Sequence, residues 1–228
     1  MKRYHSNLEL CIVGTGSAGN CYVINYVDKS LIIDAGMSVK KTLAFVQGKI
    51  TAVIVSHFHV DHAKYVNDWI ARGVKVVFNR SEKIDNIKIK PFELPHDTQN
   101  FGYYICFDEY NHYLAYITDT NEVNYTFSRL DTLMIEVNYI DDIIERSFLN
   151  EKIDPKQYQR ITNEHMSLNE AIKVIMKQDE VYKPKNIIVI HTSDRHSDEM
   201  EIIEKLRKIT AANIYVAKPG MTINLQIF

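Results

Sequence analysis

Ala52-Val53-Ile54-Val55-Ser56-His57-Phe58-His59-Val60-Asp61-His62 is the stretch on which the reading of this chain turns. Its four apolar residues, three of them β-branched, predict a strand over 52–55 that runs straight into the pattern His-x-His-x-Asp-His. A polar turn is the bland alternative, but a turn does not call for four metal-competent side chains within six residues. In a strand-to-helix loop His57 and His59 can reach one ion while Asp61 and His62 swing toward a second. Imidazole with carboxylate suits Zn²⁺ or a similar borderline cation. Just downstream, Tyr65, Val66, Trp69 and Ile70 recur at the spacing of one helix face, which predicts a helix over 63–73 closed by Gly73.

Working outward, runs rich in Ile, Val and Tyr predict strands at 8–13, 21–26 and 31–33, joined by short Gly, Asn, Asp and Ser connections as an antiparallel start. Further strands are expected at 75–78, 87–94, 102–107, 113–117 and 133–137. The alternation Ile87-Lys88-Ile89-Lys90 marks a half-exposed face. Beyond residue 140 the pattern turns helical. Residues 150–162, with Pro155 and several charges, read as a loop or lid. Ser167 with Glu170 makes a capping box for a helix through Ile175. A strand at 186–190, an amphipathic helix at 198–209 and strands at 214–217 and 222–225 close the chain.

The 228 residues, 46% of them hydrophobic, bury one sizeable core, and no repeat or linker interrupts them; a single domain over 1–228 is the expectation. Lys and Arg number 27 against 29 Asp and Glu, a net charge of −2, so no global positive field draws the chain onto nucleic acid or an anionic membrane. Cys11, Cys21 and Cys106 form no pair framework and fit buried thiols in a reducing compartment. No run approaches a membrane span, and the amino-terminal stretch has no signal core, so a cytosolic protein is expected. Most of the tyrosines lie in predicted strands, where core packing accounts for them.

Gly14-Thr15-Gly16-Ser17-Ala18-Gly19 matches the dinucleotide-binding fingerprint and follows a strand, with Asp34 near the place of its ribose acid. That motif requires a helix next. Cys21-Tyr22-Val23-Ile24-Asn25-Tyr26 predicts a strand instead, so the loop is read as a glycine-rich hairpin turn bordering a pocket.

A site for two ions needs more ligands, and His96, Asp119 and His191 each fall just past a predicted strand. Spacing alone leaves them open: such histidines are often hydrogen-bonded loop residues, and Asp119 can cap a turn. Glu136 as a solvated strand residue and His165 as a helix-entry residue stand on the same footing. His5, His112 and His196 read as surface residues, and Lys64 as a solvated helix residue or a phosphate contact.

The motifs TGSAGNCYVI, IIDAG, SHFHVDH, LPHDT, ITDT, IEVNY, EHMS and VIHTS occur in the order found in the metallo-β-lactamase-fold hydrolases, which the chain resembles across most of its length. It is most similar to YycJ-like (WalJ-like) proteins and phage anti-Pycsar cyclic-nucleotide phosphodiesterases, and more distantly to RNase Z and RNase J. The resemblance implies an α/β fold, the αββα four-layer sandwich. It implies two Zn²⁺ per chain, with Mn²⁺ the alternative ion: His57, His59 and His96 on one, Asp61, His62 and His191 on the other, and Asp119 bridging. It gives Asp34 a supporting role beside the ligands. It implies a phosphodiesterase in which water held between the ions attacks, Asp61 orients that nucleophile, and His165, paired with Glu136, protonates the leaving oxygen. Neither a clamping domain nor a basic arm is found in the sequence, so a small cyclic nucleotide is the expected substrate. The alternatives are a nuclease acting on single-stranded DNA or RNA and a metal-containing binding module without turnover. A homodimer, with residues 150–162 capping the partner's pocket, is also implied.

Overall fold

The computed structural model describes residues 7–226. They pack as two compact units, Met1–Lys88 with Ala217–Phe228, and Ile89–Val216.

In the first unit β1 (Glu9–Gly14), β2 (Cys21–Tyr26) and β3 (Lys29–Ile33) pair antiparallel. Every residue of β2 is buried, which is why its sequence is nearly continuous in apolar residues instead of alternating. The glycine-rich stretch is the turn between β1 and β2, as read from the sequence. The chain then passes through α1 (Val39–Leu43), capped by Ser38, and returns as β4 (Lys49–Ile54), parallel to β3. The pairing of Ile33 with Ile54 brings the two strand ends level, so Asp34 and the Ser56-His57 step leave the sheet along one edge. Carboxyl ends of parallel strands are where such folds gather their chemistry. β5 (Val76–Val77) extends the sheet beside β4, β6 (Glu82–Ile84) follows, and β13 (Thr222–Asn224) pairs with β1. Val23, Ile32, Val53, Val55 and Trp69 form the core of this unit.

The helix expected over 63–73 is the shorter α3 (Val66–Ala71), preceded by a separate turn of helix, α2 (Val60–Ala63), inside the His/Asp motif. The break has a tertiary cause. The Tyr65 N–H donates to the Ala35 carbonyl (2.9 Å), which takes it out of the helical ladder. Gly73, at φ +73°, follows the last turn as expected.

The second unit is built on β7 (Ile87–Leu94), β8 (Asn100–Phe107), β9 (His112–Ile117), β10 (Thr132–Glu136), β11 (Asn186–Ile190) and β12 (Asn213–Val216), each hydrogen-bonded to its neighbour in that order, with β12 at the edge. β8 and β9 form an antiparallel hairpin; β9, β10, β11 and β12 are parallel. Ile117 pairs with Ile135, and Glu136 with Ile190, so Asp119, Glu136 and His191 emerge side by side. Ile135, Val137, Leu168, Ile175 and Val189 are among its core residues.

Four helices accompany this sheet: α4 (Asp141–Leu149), α5 (Pro155–Glu164), α6 (Leu168–Val181) and α7 (Glu199–Arg207). Ser167 caps α6 by accepting from the Glu170 N–H (3.2 Å), as the capping box predicts. The loop or lid expected at 150–162 is mostly α5. Pro155 occupies the first helical turn, where its missing N–H costs nothing, and Asp154 caps the helix by accepting from the Gln157 N–H (2.9 Å). Tyr158 and Ile161 pack against Ile144, Phe148 and Ile153, which anchors the helix to its own unit.

Two histidines read as surface are buried, His112 and His196, each only 5% exposed; His5 lies outside the described residues. His112 Nε2 lies 3.0 Å from the Thr132 hydroxyl. Burial pushes its pKa down to about 4, against the opposing pull of Asp131. Since the unfolded chain protonates this imidazole near 6.5, it binds more protons than the fold between the two values, and stability falls as pH drops through that window. A shift of this size is worth ~3 kcal/mol. Urea unfolding at pH 7 and pH 4.5 is expected to show a smaller loss for His112→Asn than for the natural chain; equal losses would exclude the assignment. The three cysteines are buried and form no disulfide. No helix among the described residues is long and apolar enough to cross a membrane.

Candidate metal centre

In the first unit the site is assembled by one buried carboxylate. Asp34, at φ +59° directly after β3, accepts from the Ser56 N–H (2.8 Å) and the Ser56 hydroxyl (3.0 Å), and its Oδ2 lies 2.6 Å from His62 Nδ1. The Ser56 hydroxyl also lies 3.0 Å from His57 Nδ1. Both rings are therefore held by Nδ1, and a carboxylate opposite Nδ1 fixes the proton there, leaving the His62 Nε2 lone pair outward. The His57 ring centroid is 4.7 Å from that of His59 and 4.3 Å from that of His62.

Asn20 ties the glycine-rich turn to this cluster. Its Oδ1 accepts from the Gly16 N–H (2.8 Å), and its Nδ2 lies 2.8 Å from His62 Nε2 and 3.4 Å from Asp61 Oδ2. Backbone bonds from Asn20 N to the Asp61 carbonyl (2.7 Å) and from Ala35 N to the His62 carbonyl (2.7 Å) close the assembly. The glycine of IIDAG is forced by the same approach: a Cβ on Gly36 would sit 1.8 Å from the Asp61 carbonyl oxygen.

In the second unit Asp119, Glu136, His165 and His191 bring their ligand atoms within 4.8 Å of one another. Glu136, fully buried at the end of β10, lies through Oε1 2.7 Å from His165 Nδ1 and 2.8 Å from His191 Nδ1, and its Oε2 accepts from the Thr120 N–H (3.3 Å). Asp119 Oδ1 lies 3.0 Å from His191 Nδ1 and 3.4 Å from His165 Nδ1. Asp119 and His191 hold left-handed backbones, φ +49° and +51°. Strain of this kind concentrates at functional sites, and Asp34 shows it too. Neighbours over-determine it: Asn100 Nδ2 donates to the Asp119 carbonyl (2.7 Å) and Asn138 Nδ2 to the His191 carbonyl (3.1 Å). His96 follows β7, with Nε2 3.2 Å from Asp97 Oδ1 and its ring 6.5 Å from that of His165.

Burial opposes charge on His165, but the Glu136 and Asp119 carboxylates outweigh it and push its pKa up to about 9. Glu136 is held below the usual carboxylate range: burial works against its charge, and His165, with the hydrogen bonds from His165 and His191, overcomes both that and the repulsion from Asp119.

Residues 14–97 match the family model described as the metallo-beta-lactamase superfamily. The metallo-β-lactamase fold protein YhfI from Bacillus subtilis superposes with a TM-score of 0.73 at 17% identity, over 96% of this chain and 99% of that one. The chain has the metallo-β-lactamase fold. The human short-form tRNase Z superposes on it with a TM-score of 0.65 at 14% identity, covering 96% of this chain and all of that one (100%). The exodeoxyribonuclease YycJ of Bacillus anthracis is 28% identical over 149 residues, 51% of this chain and 56% of that protein. The chain thus spans little more than half the length of that curated relative.

The donor chemistry of this metallo-β-lactamase fold fits divalent metal. His57 and His62 are each held through Nδ1 by the Ser56 hydroxyl or Asp34, and His191 by Glu136. Orientation of a ligating imidazole by a hydrogen bond at its other nitrogen is the general pattern of metal sites. Sequence reasoning singled out the ionisable residues but missed Asn20, Ser56, Asn100 and Asn138; the signal was that Asn20, Ser56 and Asn138 stand inside motifs already picked out, and Asn100 stands in none. Asp34→Asn keeps the shape and removes the charge behind His62. A chelator-competition titration is expected to show metal affinity weakened by ~10–100-fold. Unchanged affinity would remove Asp34 from this role.

Proposed function

We propose that the chain is a metal-dependent phosphodiesterase acting on nucleotide phosphodiesters. In this reading His57, His59 and His96 hold one cation, Asp61, His62 and His191 a second, and Asp119 serves both; zinc is the ion we favour. Two such cations, when bound, supply a clamp for phosphate oxygens and acidify water toward neutral pH.

The observation that carries the reading is the Glu136–His165 pair at 2.7 Å. Glu136 accepts a hydrogen bond from the Nδ1–H of His165, which directs the proton on Nε2 away from the carboxylates. A phosphodiester cannot lose an alkoxide at neutral pH without a proton, and an imidazolium aimed at the leaving oxygen provides it. Asp61, steadied by Asn20, orients the attacking water.

Of the two substrate classes expected, single-stranded nucleic acid is favoured by the likeness to an exodeoxyribonuclease. The length argument for a cyclic nucleotide lends no support, because the chain spans only part of that relative. Zinc-loaded protein is to be assayed with bis(p-nitrophenyl) phosphate, an end-labelled DNA strand and 3′,5′-cyclic AMP. Release of p-nitrophenolate and shortening of the strand are expected. Metal-loaded protein that cleaves no phosphodiester would sink the proposal, and cleavage of the cyclic nucleotide alone would reverse the choice of substrate. Homodimerisation, implied by the resemblance, belongs to the same proposal.

A further inference from the structure

The second unit carries an aromatic cavity at the margin of its core, where Tyr104 and Phe127 pack against Phe92, and the metal ligands take no part in it. It measures about 240 Å³ and is lined by Phe92 and Lys90 of β7, Tyr104 of β8, and Tyr125, Thr126 and Phe127 of the segment after Asp119. Tyr104 stacks on Phe127 with ring centroids 4.9 Å apart and planes 16° from parallel. Phe92 lies 4.9 Å from Tyr125 and 5.4 Å from Phe127. The Tyr104 hydroxyl donates to the Arg129 carbonyl (2.6 Å), which fixes the wall. Gly102 makes room for it: a Cβ there would sit 2.3 Å from Phe92 Cζ. Tyr125 is 41% exposed, a large ring held at the mouth.

Both walls lead to the proposed metal ligands. Tyr125 also lines a second, neighbouring cavity with Leu94 and Pro95, the two residues before His96. The other wall, at Tyr125, lies six residues after Asp119 in the chain. Extended chain advances ~3.3 Å per residue, so Phe92 and His96 are separated by up to about 13 Å of chain. A polynucleotide strand running from His96 covers that length.

We propose that this cavity is a subsite for a nucleobase of a single-stranded polynucleotide, held several bonds away from the phosphodiester being cleaved. Base–aromatic stacking tolerates any sequence, because every base has a π-face. The exposed Lys90 ammonium at the rim meets the negative phosphates of the strand, and the Thr126 and Ser128 hydroxyls offer hydrogen bonds. The proposal rests on the phosphodiesterase reading only for the direction of the strand.

The test is Tyr125→Ala, with Tyr125→Phe as the variant that keeps the ring. Fluorescence anisotropy of a labelled dodecamer on metal-free protein reads binding without turnover. Tyr125→Ala is expected to weaken it by about 5- to 150-fold, the range for one lost base stack, and Tyr125→Phe to restore it. A fully abasic dodecamer should bind all three proteins alike. With zinc present, KM for the dodecamer rises in Tyr125→Ala while hydrolysis of bis(p-nitrophenyl) phosphate and KM for 3′,5′-cyclic AMP stay as in the natural chain. Equal dodecamer affinity for the natural chain and Tyr125→Ala overturns the subsite, and a matching rise in KM for the cyclic nucleotide overturns its assignment to a strand. Loss of all hydrolysis in the natural protein instead defeats the phosphodiesterase reading, and the anisotropy still decides the subsite.

Discussion

Asp119→Ala is expected to abolish phosphodiester hydrolysis and to lower the metal content of the purified protein. Asp119 is 2% exposed, sits in a left-handed backbone held by Asn100, and directs one carboxylate oxygen at both His165 and His191. Its loss removes a proposed ligand common to both cations and leaves two imidazoles facing only Glu136. Outer partners of metal ligands already cost ~10–100-fold when removed, so a shared ligand should cost more than ~100-fold in turnover. The variant should still fold, since a buried charge disappears together with part of its strain. Elemental analysis beside a p-nitrophenolate assay checks the outcome. Turnover within a few-fold of the natural chain at full metal content would remove Asp119 from the centre.

His165→Ala separates proton donation from ligation. His165 ends α5, and its Nδ1 faces Glu136 at 2.7 Å. The proton-donor role predicts that metal content is kept while kcat falls by ~10²–10⁴, the usual contribution of a positioned acid. The loss should shrink for a substrate whose leaving group needs no proton. p-Nitrophenolate is such a group, and a sugar alkoxide is not. An equal loss on both substrates, or a fall in bound metal, would make His165 a ligand or a structural residue instead.

The local part of the site was open to sequence reading because it is contiguous: His57, His59, Asp61 and His62 lie in one loop after an obvious strand. His191 and Asp119 were marked by following apolar runs that the structure places as β11 and β9. What escaped depends on contacts between distant residues. Nothing near Tyr65 announces that the Ala35 carbonyl will capture its N–H and split the helix. The burial of His112 and His196 comes from neighbouring strands and loops, not from their own surroundings in sequence. The loop or lid expected at residues 150–162 differs in kind, since Asp154-Pro155 is itself a legible helix start. The carboxamides of Asn20, Asn100 and Asn138 gave no signal of their own, because their work is to hold other residues' backbones and rings.

The proposal that carries the others is a pair of divalent cations, one held by His57, His59 and His96 and the other by Asp61, His62 and His191, with Asp119 serving both. It is tested most directly by loading the protein with zinc, removing unbound ion by gel filtration and measuring zinc per chain by elemental analysis. The account predicts two ions per chain in the natural protein and fewer in Asp119→Ala. A natural protein that retains no zinc under these conditions would contradict it.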